Sequence, residues 1–224
     1  MKAVRTLSLV MLLGAGLLSA DSLHSLFQAV PTEAPLQWWM SRSTGFVAYI
    51  AMWLSMMLGL MISSRGLDGA LNRKSVLEAH QQWTLAAVLA TLFHVAVIVS
   101  DPYVDMTWTS AVVPGASAYL PGPVALGALG MWGMVLIAVS SWFRRQISYG
   151  LWRAIHTFAL GAFILGLLHG FVAGTDSGEQ AAQLTYAGTA ALLMGGIVFR
   201  AVYTPGKGKA ARQPRPPAAA VEPS

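Results

Sequence analysis

The sequence predicts an all-α, polytopic membrane helical bundle of about six transmembrane helices with both termini cytoplasmic. Three observations predict it. Only 10% of the 224 residues are charged and 55% are hydrophobic, whereas soluble domains average about 25% charged residues; that balance excludes a disordered chain and a soluble enzyme fold. The apolar residues fall in long blocks, close to the ~20 needed to cross ~30 Å of hydrocarbon as a helix. The basic residues collect at alternate block ends, which is a topology signal.

The blocks lie at about 4–29, 38–63, 77–100, 123–143, 150–174 and 180–203. Backbone groups in hydrocarbon must pair within their own segment, so each block reads as a helix. Breakers separate them: Ser64, Gly66 and Gly69; Pro102, Pro114, Pro121 and Pro123; Gly174 and Gly178. The first block is ambiguous. Lys2 and Arg5, the apolar run 7–18 and Ser19-Ala20 also fit a signal peptide cut before Asp21, although Leu18 is large for the position three before the cut. Retention as a first helix is the preferred reading, and residues 1–37 then form that helix and an outer loop. Residues 204–224, rich in Pro, Ala, Gly and basic side chains, read as a disordered cytoplasmic tail.

With the N-terminus inside, the inner segments hold Lys2, Arg5, Arg65, Arg73, Lys74, Arg144, Arg145, Arg153, Arg200, Lys207, Lys209, Arg212 and Arg215, leaving Arg42 as the one outer cation. The net charge of +5 is therefore a mark of topology, and no nucleic-acid partner is expected. The expected location is a bacterial inner (plasma) membrane, as an integral multi-pass protein.

The chain has no cysteine, so thiolate zinc sites, iron–sulfur clusters and thioether-linked haem are excluded. It also lacks a G-x-G-x-x-G or Walker loop. Four of its five histidines lie inside predicted helices, His80 and His94 in the third block, His156 and His169 in the fifth. His24, near the outer end of the first, reads as interfacial. Intramembrane ionisable side chains usually mark a functional path. Spacings of fourteen and thirteen residues place the imidazoles about 21 and 20 Å apart along each axis. Both helices run outward, so His80 and His156 share one level and His94 and His169 the other. Two levels, each with an imidazole from two helices, suit two bis-histidine b-type haems, non-covalently held. A proton or divalent-cation path and interhelical hydrogen bonding are the other readings. On an ideal helix His80 and His94 share a face, whereas His156 and His169 stand about 140° apart. The fifth helix must therefore bend, or its ligands approach from different directions; Gly161 and Gly166 lie between them.

The four histidines resemble those of the ferric reductase-like transmembrane domain, the superfamily of NADPH oxidases, ferric reductases and the haem subunit of periplasmic methionine sulfoxide reductase. There, H-x13-H on the third helix and H-x12-H on the fifth bind two b haems, the pattern of His80–His94 and His156–His169. The resemblance covers about residues 38–203, and RSTGFVAY at 42–49 resembles the opening of the family's second helix. It implies transmembrane electron transfer by two haem b per chain, with the four histidines as metal ligands. Two departures stand out. Oxygen-reducing members carry a further histidine where this chain has Ile98, which argues against superoxide production. The flavin- and nicotinamide-binding domain is missing, so the expected donor is a separate flavoprotein reductase or membrane quinol. The acceptor would be ferric iron, a small molecule or a protein at the outer face.

Arg42 is expected beside a propionate of the outer haem, with interfacial snorkelling as its alternative. Arg153, one turn before His156, is a candidate for an inner propionate, as are Arg73 and Lys74, although the positive-inside rule already explains all three. Phe163 falls between the levels, where it can pack between porphyrins or simply fill the core. Met52, Met56, Met57 and Met61 read as apolar filler, not a copper site. Trp38, Trp39, Tyr103 and Trp108 read as interfacial anchors, and loop 101–122 as the outer cover and acceptor-docking surface. Dihaem electron transfer, as an oxidoreductase component, is the expected function. Its rivals are the haem anchor of a quinone-linked respiratory complex and a haemless cation or proton transporter.

Overall fold

The computed structural model describes residues 36–64, 72–101 and 104–203. The expected first helix with its signal-peptide alternative, His24, Tyr103 and the tail lie outside these residues. Among the described residues seven helices run in chain order: α1 Leu36–Ser63, α2 Arg73–Val99, α3 Trp108–Val112, α4 Pro121–Trp142, α5 Tyr149–Thr157, α6 Ala159–Ala173 and α7 Gln180–Tyr203. Among the described residues there are five helical spans of 22 to 28 residues, counting α5 and α6 as one, that are long and apolar enough to cross a membrane. At 1.5 Å per residue they reach about 33–42 Å. The chain is a multi-pass helical membrane protein.

Local chemistry starts and stops these helices. Asn72 caps α2, its side-chain oxygen accepting from the Lys74 and Ser75 amides at 3.1 and 3.4 Å. Thr107 and Ser110 form a capping box that isolates the five-residue α3. Pro opens α4, where its missing N–H costs nothing. Ser148 caps α5.

The packing is antiparallel within two pairs, α1 with α2 and α4 with α6. Small residues permit it: Ala51 and Ala87 meet Met134 where α1, α2 and α4 converge, and a Cβ on Gly130 would touch the α6 backbone at Gly166. α7 lies parallel to α1, with the Trp53 indole donating to the Thr189 carbonyl at 3.0 Å and the Tyr49 and Thr189 hydroxyls bonded at 2.5 Å. Leu85, Leu89, Leu136 and Val198 face outward, as lipid-exposed side chains do.

The fifth predicted helix is interrupted at Phe158, between His156 and His169. The Phe158 amide bonds back three residues to the Ile155 carbonyl at 3.0 Å, ending α5, and α6 starts anew at Ala159. The break falls beside neither glycine: a Cβ on Gly161 would meet open space, while Gly166 receives the Met52 side chain.

Candidate functional site

α2 presents His80 to α5 and His94 to α6. The His80 and His156 ring centroids are 6.1 Å apart with planes at 73°, and those of His94 and His169 are 6.4 Å apart with planes at 77°. The structure thus brings together two facing imidazole pairs, separated along α2 by about 21 Å.

Three of the four imidazoles are held alike. Nδ1 of His80 donates to the Ser55 carbonyl, that of His94 to the Ser41 carbonyl and that of His169 to the Pro123 carbonyl, each at 2.8 Å. A carbonyl can only accept, so the proton sits on Nδ1 and a neutral ring keeps its lone pair on Nε2. This is how outer partners fix the tautomer of a metal-ligating histidine. Hydroxyls add to the α1 contacts, with Ser55 Oγ at 3.1 Å from His80 Nδ1 and Thr44 Oγ1 at 3.4 Å from His94 Nδ1.

Each of these carbonyls is followed four residues later by a glycine on which the imidazole rests. A Cβ on Gly127 would stand 2.8 Å from His169 Cε1, one on Gly45 3.0 Å from His94 Cε1, and one on Gly59 3.4 Å from His80 Cε1. The absent side chains let the rings approach the backbone that anchors them. Ser41-x3-Gly45 and Ser55-x3-Gly59 repeat at fourteen residues, the spacing of His80 and His94. That repeat was a legible signal for the anchors, and sequence reasoning passed over it.

His156 is built differently. Its Nδ1 is buried with no hydrogen-bond partner. Its ring stacks on Trp152, centroids 4.9 Å apart and planes at 23°. The Arg144 guanidinium lies over the same indole at 4.6 Å. Arg153, by contrast, is exposed and donates to the Tyr149 hydroxyl at 3.1 Å.

A cavity of ≈ 280 Å³ surrounds the His94–His169 pair, with Gly127, Gly166 and Arg42 among its walls. Arg42 forms a two-pronged ion pair with Asp176, Nε to Oδ2 at 2.6 Å and Nη2 to Oδ1. Its guanidinium also stacks on Trp38 at 3.9 Å and Trp39 at 5.0 Å. Nothing local in the sequence links Asp176 to Arg42. Val104, Met106, Ala111 and Tyr119, between α2 and α4, line this cavity, and Trp132 ties the cover down by donating to the Val112 carbonyl at 2.8 Å. Ile98 is on its wall.

Phe163, 1% exposed, packs on Tyr49 with centroids 5.6 Å apart, in the core that also holds Met52, Met56 and Met57. Among the described residues no three His, Cys, Asp or Glu side chains converge on a metal position. Each level therefore offers two facing nitrogen donors and no third protein ligand of that kind.

No curated protein and no solved structure matches the chain. A family match covers residues 36–176, from the start of α1 to Asp176, and includes all four histidines with Arg42, Trp152 and Arg153. That is more than half of the chain, which belongs to the family described as Domain of unknown function (DUF8596).

Proposed function

We propose that the protein carries single electrons across the membrane, using two b-type haems, each held between two histidines. The observation that carries this reading is the facing imidazole pair repeated at two depths. A metal–imidazole bond of about 2 Å on each side, with about 1.2 Å more from Nε2 to the ring centre, separates two trans rings by roughly 6.4 Å. The observed 6.1 and 6.4 Å fit that separation. With two protein donors per level, the remaining coordination positions suit a planar macrocycle, and the cavity beside His94 and His169 supplies apolar walls for one.

Bound haem b would supply a one-electron ferric/ferrous couple at each level, and His80 with His156 and His94 with His169 would hold it. The chain's own residues do the rest. Ser55, Ser41 and Pro123 carbonyls orient His80, His94 and His169, and the glycines below them clear the approach. Arg42, held by Asp176, is the cation at the outer level, where it can face a propionate. Arg144 and Arg153 take the corresponding inner side.

The proposed orientation follows from the basic residues, which put His80 and His156 on the cytoplasmic side and His94 and His169 outside, with six spans and both termini inside. A reduced flavoprotein or a quinol loses the electron on the inner side. Ferric iron, a small molecule or a protein gains it outside, under the loop cover. Ile98 leaves the outer level without the extra histidine of the oxygen-reducing enzymes that the sequence resembles. The donor proposed is a separate flavoprotein reductase or a membrane quinol; these 224 residues carry no G-x-G-x-x-G or Walker motif.

A reduced-minus-oxidised absorbance spectrum of purified protein tests the reading. About two extractable haems per chain are expected. His94→Ala or His169→Ala should remove one redox component, and His80→Ala or His156→Ala the other. NAD(P)H alone should leave both oxidised until a flavin reductase or a quinol is added. Protein without haem bands overturns the proposal, and so does loss of the same component in His80→Ala and His169→Ala.

A further inference from the structure

Three histidines share one device, a carbonyl at position i and a glycine at i+4 of the facing helix. Extending the α4 register by the fourteen residues that separate Ser41 from Ser55 takes Pro123 to Ile137 and Gly127 to Ser141. Neither substitute takes up His156, and the Ile137 carbonyl accepts the Ser140 hydroxyl at 3.0 Å instead. Ser141 brings a side chain where the other sites have none, and its Oγ accepts from the Trp152 indole N–H at 3.2 Å. The result is the unpartnered Nδ1 of His156.

We infer that Trp152 is the positioning residue for His156, fixing its imidazole by face-to-face stacking where the other three are fixed by a hydrogen bond. The indole is suited to this because it is itself immobilised. Ser141 accepts from its N–H, Arg144 lies over its ring and Tyr149 packs beside it at 5.8 Å. Trp152 stands four residues before His156, one turn away on the same face of α5, so stacking needs no distortion of the helix. A stack limits the tilt of the imidazole and leaves it freer to rotate in its own plane than a hydrogen bond does. The His80–His156 level therefore has one ligand locked by a carbonyl and one held only against an aromatic wall. An imidazole that donates no Nδ1 hydrogen bond is also the less basic ligand, which makes the two levels chemically unequal.

This inference rests on the dihaem reading, and the test separates the two. Imidazole planes near perpendicular across a ferric haem leave the two π-type iron orbitals nearly degenerate, so the low-spin electron paramagnetic resonance signal is strongly anisotropic and sensitive to ring orientation. Full-length protein in membranes is compared as wild type, Trp152→Phe, Trp152→Leu and His156→Ala. His156→Ala identifies the signal of the inner level by removing it. Trp152→Phe retains a flat face and should keep that signal's g-values and midpoint potential. Trp152→Leu fills much of the volume without a face and should shift or broaden the inner signal, and displace its potential, with the outer signal unchanged. An inner signal that is the same in Trp152→Leu as in wild type overturns the positioning role while leaving the dihaem reading intact. Wild-type membranes without any low-spin haem signal overturn both.

Discussion

At the residue scale the decisive distances are those between glycines and imidazoles. Exchanging Gly for Ala inside a helix gains up to about 1 kcal/mol in propensity, while overpacking a tight contact costs about 1–3 kcal/mol. The contact distance decides which wins. At Gly127 a Cβ would lie 2.8 Å from the His169 ring, which is tied to the Pro123 carbonyl, and at Gly45 3.0 Å from His94. At Gly59 the 3.4 Å contact with His80 is ordinary van der Waals distance. Haem content should therefore fall most in Gly127→Ala, less in Gly45→Ala and hardly at all in Gly59→Ala, with the His94–His169 component lost first. Equal loss in all three, read from reduced-minus-oxidised spectra, would count against the glycine seats. Arg42 illustrates the same scale differently. Its isolation among the cations singled it out in the sequence, whereas its partner Asp176, 134 residues away, was not legible there.

At the element scale the spacing within α2 is what places two histidines on one face. Fourteen residues come within about 40° of four full turns, so His80 and His94 can both meet α1, at Ser55/Gly59 and Ser41/Gly45. One alanine inserted after Ala87 turns everything beyond it by about 100°. It should carry His94 off its carbonyl and glycine while leaving His80 in place. The expected spectrum retains the inner component and lacks the outer one; a variant with both components intact would show that register along α2 is not what sets the pairing. The span of α5 and α6 reaches the same end by another route. Thirteen residues leave its second histidine off the face of an ideal helix, and the helix is interrupted at Phe158 between the two.

At the scale of the whole molecule, charge sets the proposed orientation, and the absence of cysteine makes that orientation easy to test. Single cysteines at two exposed turn positions report on opposite sides. Gln146→Cys, between α4 and α5, should resist a membrane-impermeant maleimide in intact cells and react after lysis. Glu179→Cys, before α7, should react in intact cells. The reverse pattern would invert the direction assigned to electron flow without disturbing the pairing of the histidines.

The depth of each histidine was already determined in the sequence, because rise along a helix is a local property at 1.5 Å per residue. The number of apolar spans between 38 and 203 and the alternation of basic residues are likewise local, and α1, α2, α4, the α5–α6 span and α7 lie close to where they were expected. What faces what is not local. The carbonyls that orient His80, His94 and His169, the ion pair from Arg42 to Asp176, and the stack of His156 on Trp152 under Arg144 depend on azimuth and on register between helices. Those are fixed by which small residues let two backbones approach, and by where a helix is interrupted. A one-residue change in register moves a side chain about 100° around its axis but only about 1.5 Å along it, so depth survives in the sequence while partnership is settled by tertiary packing.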